Sequence, residues 1–179
     1  RIHDNPLITA AAEQFDQVLP VVILPDLAND DMQYGLPRWS AHRLQFLLES
    51  VADLRNNLRK QGTDLVIRQG VAHEAIAKLA KTAGAEAILY EETVTRDEKI
   101  AESLVLDQTG LGRQVFWTHT LYHIDDLPFA PHLCPDVFTE FRKQVEKERS
   151  VRAEAQAPSL PPLPDAIEPG ELPSVEDYG

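Results

Sequence analysis

Val18-Leu19-Pro20-Val21-Val22-Ile23-Leu24 is a nearly unbroken run of apolar residues. Such a run is typical of a strand that is buried on both faces, as in a parallel sheet. Because proline cannot donate to the hydrogen-bond ladder, Pro20 should stand at the start of this strand. The stretch therefore predicts a buried strand of a parallel sheet.

Helices are predicted on both sides of this strand. Asn5-Pro6 has the form of a helix start, since Asn can accept an orphan N–H group and Pro suits the first helical position. After a loop over residues 25–38, the stretch from Arg38 to Gln61 is amphipathic, and Gly62 is placed to end the helix. Its predicted inward residues are Leu44, Leu47, Val51, Leu54 and Leu58.

Strands continue to alternate with helices downstream. Strands are predicted at 65–67, 87–90 and 114–117, and helices at about 72–83, 95–108 and 136–147. The second of these helices should be buried through Ile100, Leu104 and Val105, and the last should carry Val137, Phe138, Phe141 and Val145 on one side. This alternation predicts an α/β, Rossmann-like parallel sheet with helices on both faces.

The order of elements at the start of the chain is unusual for such a sheet. A helix begins near residue 5, and no strand precedes it. A doubly wound sheet has its first strand in the middle, where the strand order reverses. We therefore expect that the first, central strand lies upstream of Arg1, in about five to ten residues that the natural protein carries there.

Composition divides the chain into two parts. Residues 158–179 contain six of the 13 prolines, together with acidic residues and glycine. This composition favours an extended linker and not a core. We predict an α/β domain over residues 1–150 and a Pro-rich linker over residues 151–179.

The charge of the chain bears on its partners. The net charge is −12, and DNA binding requires Lys and Arg to displace counterions from the phosphates. We therefore do not expect this domain alone to hold DNA. No apolar run approaches the roughly 18–20 residues needed to cross a bilayer, so no membrane partner is expected.

Several segments resemble the photolyase/cryptochrome family in order and spacing. Those that carry the resemblance are Arg1–Pro6 (RIHDNP), Ala41–Val51 (AHRLQFLLESV), Thr120–Phe129 (TLYHIDDLPF), Pro135–Lys143 (PDVFTEFRK) and Ser159–Pro164 (SLPPLP). The third and fourth resemble the DASH branch of cryptochromes in particular, and the last resembles the start of the linker to the flavin domain. The resemblance covers nearly the whole chain.

The resemblance implies a larger protein. In this family an N-terminal Rossmann-like domain precedes a helical domain that carries FAD, the tryptophan electron-transfer chain and the DNA-binding face. The partner expected for this chain is therefore the FAD-binding helical domain of the same protein, with DNA bound only through that domain. The whole would be a blue-light flavoprotein for pyrimidine-dimer repair in single-stranded DNA, or for light sensing. It would be cytoplasmic in a bacterium, and plastid or mitochondrial in a eukaryote.

The same resemblance implies an antenna pigment between the two domains, in the DASH branch usually methenyltetrahydrofolate. A family carboxylate just past a strand end contacts the pterin, and Glu91-Glu92 follow a predicted strand here. The carboxyl end of a parallel strand is where α/β ligands tend to bind. A solvated acidic loop is the alternative, and the choice of Glu92 over Glu91 stays open.

Other candidates have structural alternatives. Asp4 and Asn5 could face the same crevice, although helix capping is the preferred interpretation. Trp39 lies in a region where flavin-type antennae sit in other branches, and packing is its alternative. Tyr122–Phe129 has two aromatic residues and a Pro in a polar loop, which favours an interface with the helical domain or the linker.

No metal-site pattern is evident, because His119 and His123 flank a predicted strand end and have no further ligands at suitable spacing. No Gly-rich phosphate-binding loop is evident either. A second hypothesis for the chain as a whole is a stand-alone, non-enzymatic regulatory domain, or one that binds a nucleotide-like ligand. The coding sequence beyond Gly179 would discriminate between the two.

Overall fold

A computed structural model describes residues 1–27, 39–148 and 150–178, and no structure is given for the rest. The helices are α1 (Pro6–Gln14), α2 (Ala41–Lys60), α3 (Ala72–Ala83), α4 (Arg96–Thr109) and α5 (Phe138–Glu148). The strands are β1 (Val21–Leu24), β2 (Val66–Gln69), β3 (Ala87–Glu91) and β4 (Gly112–Phe116). Short 3₁₀ turns cover Ile124–Asp126, Pro131–Leu133 and Glu176–Tyr178.

Helix boundaries follow the predicted capping chemistry. The Asn5 side chain accepts from the backbone N–H groups of Leu7 and Ile8, and Pro6 is the first residue of α1. Gly84 ends α3 in the left-handed conformation, which glycine adopts without a steric penalty. Pro20 stands directly before β1, as expected, and its carbonyl accepts from the Val66 N–H at 2.8 Å.

The β1–β2 pair is parallel and is covered on both faces. Leu24, Leu65 and Ile67 join one buried cluster with α2, and partly buried residues of α1 pack against the same cluster. Val66 points to the opposite face, where it packs with Leu79 of α3. The alternation of Leu65, Val66 and Ile67 between faces follows from the strand period of two.

The β3–β4 pair is also parallel, with Ala87 opposite Gly112 and Glu91 opposite Phe116. On one face, the Gln114 amide donates to the side chain of Gln14 in α1. On the other face, the Tyr90 hydroxyl donates to Glu102 of α4, and α4 packs against α3. The prediction of a parallel sheet with helices on both faces is thus confirmed.

The two pairs of strands form separate sheets. In a right-handed crossover, the face on which the helix lies decides on which side of a strand the next strand is placed. Because α2 lies on one face and α3 and α4 lie on the other, β2 lies to one side of β1, and β3 and β4 follow in the opposite direction. The second edge of β2 is occupied, since the Ile67 N–H donates to the Pro169 carbonyl at 2.7 Å. The strand order is therefore β2-β1, then a gap, then β3-β4.

The gap coincides with the point where the strand order reverses. Among the described residues, none donates to or accepts from the free edges of β1 and β3. A strand that entered α1 by a right-handed crossover would lie in this gap, because α1 shares a face with α2. The expectation of an incomplete sheet agrees with this arrangement, and the source of a central strand stays a prediction.

The Pro-rich tail has little regular structure but is not detached. Leu160 and Ile167 are only 6% and 5% exposed, and each belongs to one of the two buried clusters. The Arg68 guanidinium donates to the carbonyls of Glu168 and Pro169 at 2.9 and 3.3 Å. The expectation that this segment contributes nothing to a core is therefore wrong for these two residues, while the domain boundary at residue 150 stays a prediction.

Two helices bury less of their apolar surface than their patterns predicted. In α4, Val105 is 9% exposed, but Ile100 and Leu104 are 50% and 40% exposed. In the α5 region Val145 is buried, whereas Val137 and Phe138 are exposed. The periodicity identified the apolar faces of these helices correctly. It could not show which parts of those faces pack against other described residues.

Candidate functional site: the carboxyl ends of β3 and β4

Glu91 and Glu92 lie at the carboxyl end of β3, as predicted. Glu91 is the last residue of the strand and pairs with Phe116. The Glu92 N–H donates to the Phe116 carbonyl at 2.8 Å, so the ladder continues one residue beyond the strand. Both residues therefore lie at the carboxyl ends of the parallel strands, where ligands of open α/β folds bind.

Both carboxylates are half-buried and have no described partner. Among the described residues, neither side chain forms a hydrogen bond or an ion pair with another group. A carboxylate in such a position can still accept hydrogen bonds from a ligand. This availability distinguishes the two residues from the other predicted candidates.

The turn after β4 supplies two further residues that sequence analysis missed at this site. Nε2 of His119 lies 2.5 Å from the Glu92 carbonyl oxygen. The rings of His119 and Trp117 meet edge to face, with centroids 5.8 Å apart. Both residues follow the carboxyl end of the strand paired with β3, and this position is the signal that could have identified them.

The opposite side of the Glu92 loop is anchored to α4. Glu102 accepts from the Tyr90 hydroxyl at 2.5 Å and from the Thr93 hydroxyl at 3.3 Å. Burial of the Tyr90 hydroxyl, together with its bond to the Glu102 carboxylate, raises the pKa of Tyr90 above its ordinary value. The end of β3 is therefore fixed from the α4 face as well as from β4.

Asn5 and Asp4 are occupied elsewhere. The Asn5 amide oxygen caps α1, and its Nδ2 donates to the Arg1 carbonyl at 3.1 Å. Asp4 has a φ of 50°, exchanges hydrogen bonds with the backbone of Ala155 and pairs with Arg1 at 3.5 Å. The capping interpretation of Asn5 fits these contacts, and the partners of the two residues are Arg1, Ala155 and the start of α1, not Glu92.

Trp39 stands just before α2 with Arg43 over its ring, 4.2 Å from the ring centroid. This cation–π contact matches the packing interpretation. Arg38 and the rest of the loop over residues 28–38 lie outside the described residues. A role of Trp39 toward a pigment stays a prediction.

The segment Tyr122–Phe129 contacts both α5 and the start of the tail. The rings of Phe129 and Phe141 have centroids 5.7 Å apart, and Phe138 stacks on Phe141. Arg152 donates two hydrogen bonds to the Asp126 carboxylate, at 2.5 and 2.9 Å. Local packing and a contact with the tail segment are therefore both present, while 71% of Phe138 stays exposed.

Open clefts elsewhere on the described surface do not include the two carboxylates. One open cleft lies beside α2 and another lies between β2, α3 and the tail, and neither is lined by Glu91 or Glu92. Among the described residues, no helix has both the length and the apolar character to span a bilayer.

The sequence of the chain matches the profile of one family, described as DNA photolyase, over residues 1–164. The chain belongs to the DNA photolyase family. A cryptochrome DASH from Xenopus laevis is 41% identical over 186 residues, which are 99% of this chain and 35% of that protein. An Arabidopsis thaliana relative named cryptochrome DASH, chloroplastic/mitochondrial, is 37% identical and is matched over 100% of this chain and 33% of its own length.

The photolyase-family assignment also holds at the level of structure. A solved cryptochrome from Synechocystis sp. PCC6803 superposes with a TM-score of 0.89 at 32% identity, covering 100% of this chain and 38% of that one. The chain thus corresponds to the α/β domain of the family and spans about a third of the length of its relatives.

Proposed function

We propose that this chain is the antenna-scaffold domain of a DASH-type photolyase/cryptochrome, and that it holds a folate-type pigment at the carboxyl ends of β3 and β4. The observation that carries the proposal is the pair of half-buried carboxylates, Glu91 and Glu92, without a partner among the described residues. The family binds FAD and a light-harvesting cofactor. The identity of that cofactor as methenyltetrahydrofolate is our proposal.

The chemistry of a pterin fits a carboxylate acceptor. A pterin presents an exocyclic amine beside a ring N–H, and one carboxylate can accept from both in a bidentate arrangement. Glu92 is the better placed of the two, because its backbone is bonded on both sides, to Phe116 and to His119. Glu91 is the alternative acceptor.

The activity of the whole protein would require a second domain. In that protein the folate would absorb blue light and pass the energy to FAD in a helical domain. FAD would then reduce a pyrimidine dimer in single-stranded DNA, or begin a light signal. DNA would bind through the helical domain, since this chain has a net charge of −12. Plastids or mitochondria are the proposed compartments in a plant, and the cytoplasm in a bacterium.

The test is made on the protein that includes its flavin domain. We expect Glu92→Gln to lose most of the near-ultraviolet absorbance of bound methenyltetrahydrofolate while FAD absorbance is retained. The matched control is Glu86→Gln, because Glu86 is exposed and precedes β3 at the opposite edge of the sheet. Unchanged folate content in Glu92→Gln and loss in Glu91→Gln would move the role to Glu91. Unchanged content in both variants would reject the site.

The alternative of a stand-alone regulatory domain has less support. The chain covers only 35% and 33% of the length of two of its relatives. A stop codon directly after Gly179 would favour the alternative. About 300 further residues of mainly helical pattern would support the two-domain protein.

A further inference from the structure

Both backbone polar groups of Glu92, its N–H and its C=O, form hydrogen bonds. Its N–H donates to the Phe116 carbonyl, and its C=O accepts from Nε2 of His119. Because a carbonyl oxygen can only accept, Nε2 of His119 carries the hydrogen. One bond comes from the last residue of β4 and the other from the turn after it, so together they restrain rotation about the Glu92 backbone.

The turn that carries His119 is itself closed by side-chain bonds. Nε1 of Trp117 donates to the Thr120 hydroxyl at 2.7 Å, and that hydroxyl donates to the Tyr122 carbonyl at 2.5 Å. Trp117 also packs its ring against the His119 imidazole. The imidazole is therefore presented by a fixed support and not by a freely moving loop.

We propose that His119 is a positioning residue for Glu92. By holding the Glu92 carbonyl, it sets the backbone angle that aims the carboxylate, which leaves the oxygens free for a ligand with two adjacent N–H donors. The inference rests on the proposed function of Glu92. It assigns to His119 no contact with the pigment.

The fold of the strand should not depend on this bond. The end of β3 keeps its ladder with β4 and its anchor from Tyr90 and Thr93 to Glu102. Loss of the imidazole donor should therefore alter the direction of the Glu92 side chain more than the stability of the domain. This separation makes the proposal testable.

The test compares His119→Leu with His119→Gln. Gln can place an N–H donor near the position of Nε2, and Leu cannot. In the 179-residue chain, we expect the ¹³C shift of the Glu92 carbonyl and the amide shift of Thr93 to change in His119→Leu and to be restored in His119→Gln. In the protein with its flavin domain, affinity for methenyltetrahydrofolate should fall about two- to tenfold in His119→Leu, the range of one net hydrogen bond, and recover in His119→Gln.

His123→Leu is the control, since His123 accepts from the Asp125 N–H in its own turn. The experiments distinguish a failure of the proposed role of Glu92 from a failure of the proposed role of His119. If Glu92→Gln leaves folate affinity unchanged, the proposed role of Glu92 fails, whereas the carbonyl shift still reports whether His119 holds that backbone. An unchanged carbonyl shift in His119→Leu, or lost affinity that Gln does not restore, would overturn the positioning role.

Discussion

The two pairs of strands differ in burial: three of the eight residues of β1 and β2 are buried, and none of the ten residues of β3 and β4. In the β1–β2 pair, Leu24 and Val66 have 0% exposure. No residue of β3 or β4 is fully buried, and Val115 is 42% exposed. Both pairs have helices on both faces, but the tail lies along the second edge of β2, where the Ile67 N–H donates to the Pro169 carbonyl. The difference in burial therefore follows the tail that covers the edge of β2, together with the polar residues in β4.

The largest expected effect comes from filling the gap between the pairs. We expect an extension of about five or six apolar residues before Arg1 to lie between β1 and β3 as a parallel strand. The added burial would contribute roughly 8–18 kcal/mol before chain entropy is subtracted. Urea unfolding and amide exchange in β3 would measure the change, with a Gly/Ser extension of equal length as control. Equal stability of the two extended chains would contradict the strand order derived for this sheet.

Matched truncations probe the difference in burial directly. Leu24→Ala should cost about 2–5 kcal/mol, because it leaves a cavity in a fully buried cluster. Leu89→Ala in half-buried β3 should cost roughly half as much, because part of that surface is already hydrated. Chemical unfolding of both variants gives the comparison. Equal costs would show that the two pairs are equally well packed.

The tail contact on β2 is tested at Gly170. Its φ is 81°, and a Cβ there would lie 2.5 Å from the Ile67 carbonyl oxygen. Gly170→Ala should therefore cost about 2–3 kcal/mol and expose the Ile67 amide to exchange. Gly62→Ala is the control, with a φ of 89° but no atom within 4 Å of the added Cβ. It should cost about 1–2 kcal/mol and leave the Ile67 amide protected.

Acid should weaken the β1–β2 side first. Burial alone would raise the pKa of Asp64, but hydrogen bonds from Arg55, Arg59 and the Leu65 N–H outweigh it and hold that pKa below its ordinary value. This contribution is present above the unfolded-state pKa of about 3.9 and is lost as pH falls through the folded value. Asp64→Asn should lower the free energy of unfolding by about 1 kcal/mol at pH 7. It should also make that free energy less dependent on pH in the acid range. If the variant and the parent protein lose stability equally as the pH falls, this ion pair does not contribute to the acid sensitivity.

Alkali should act on the β3–β4 side, with a smaller effect. The raised pKa of Tyr90 means that its contribution is complete below the unfolded value of about 10 and is lost as pH rises through the folded value. Tyr90→Phe should cost about 0.5–1 kcal/mol at pH 7 and remove this alkaline dependence. Thr82→Val is a control, since its hydroxyl bonds only within α3.

Sequence patterns predicted the elements well because their causes are local. The spacing of apolar residues placed α2, and Asn5 and Gly84 act at helix ends as expected. The position of Glu92 at a strand end was likewise readable from the chain. His119 was missed because it lies 27 residues from Glu92, and only the pairing of β3 with β4 brings them together.

The tail shows a second limit of sequence patterns. Its proline content correctly indicated an irregular backbone, but isolated apolar residues such as Leu160 and Ile167 have no period that would mark them as buried. Their burial depends on surfaces that other segments create. The exposure of Ile100 has the same origin, because a helix pattern does not state whether a neighbour is present.

The bond between the tail and the end of β2 has a further consequence. Gln69, the last residue of β2, donates to the Tyr178 hydroxyl at 3.1 Å. The polypeptide is thereby tethered near the carboxyl edge, the same side of the layer as Glu92. A domain joined to the chain after this point would have a high effective concentration near Glu91 and Glu92, because the short connection makes their encounter intramolecular.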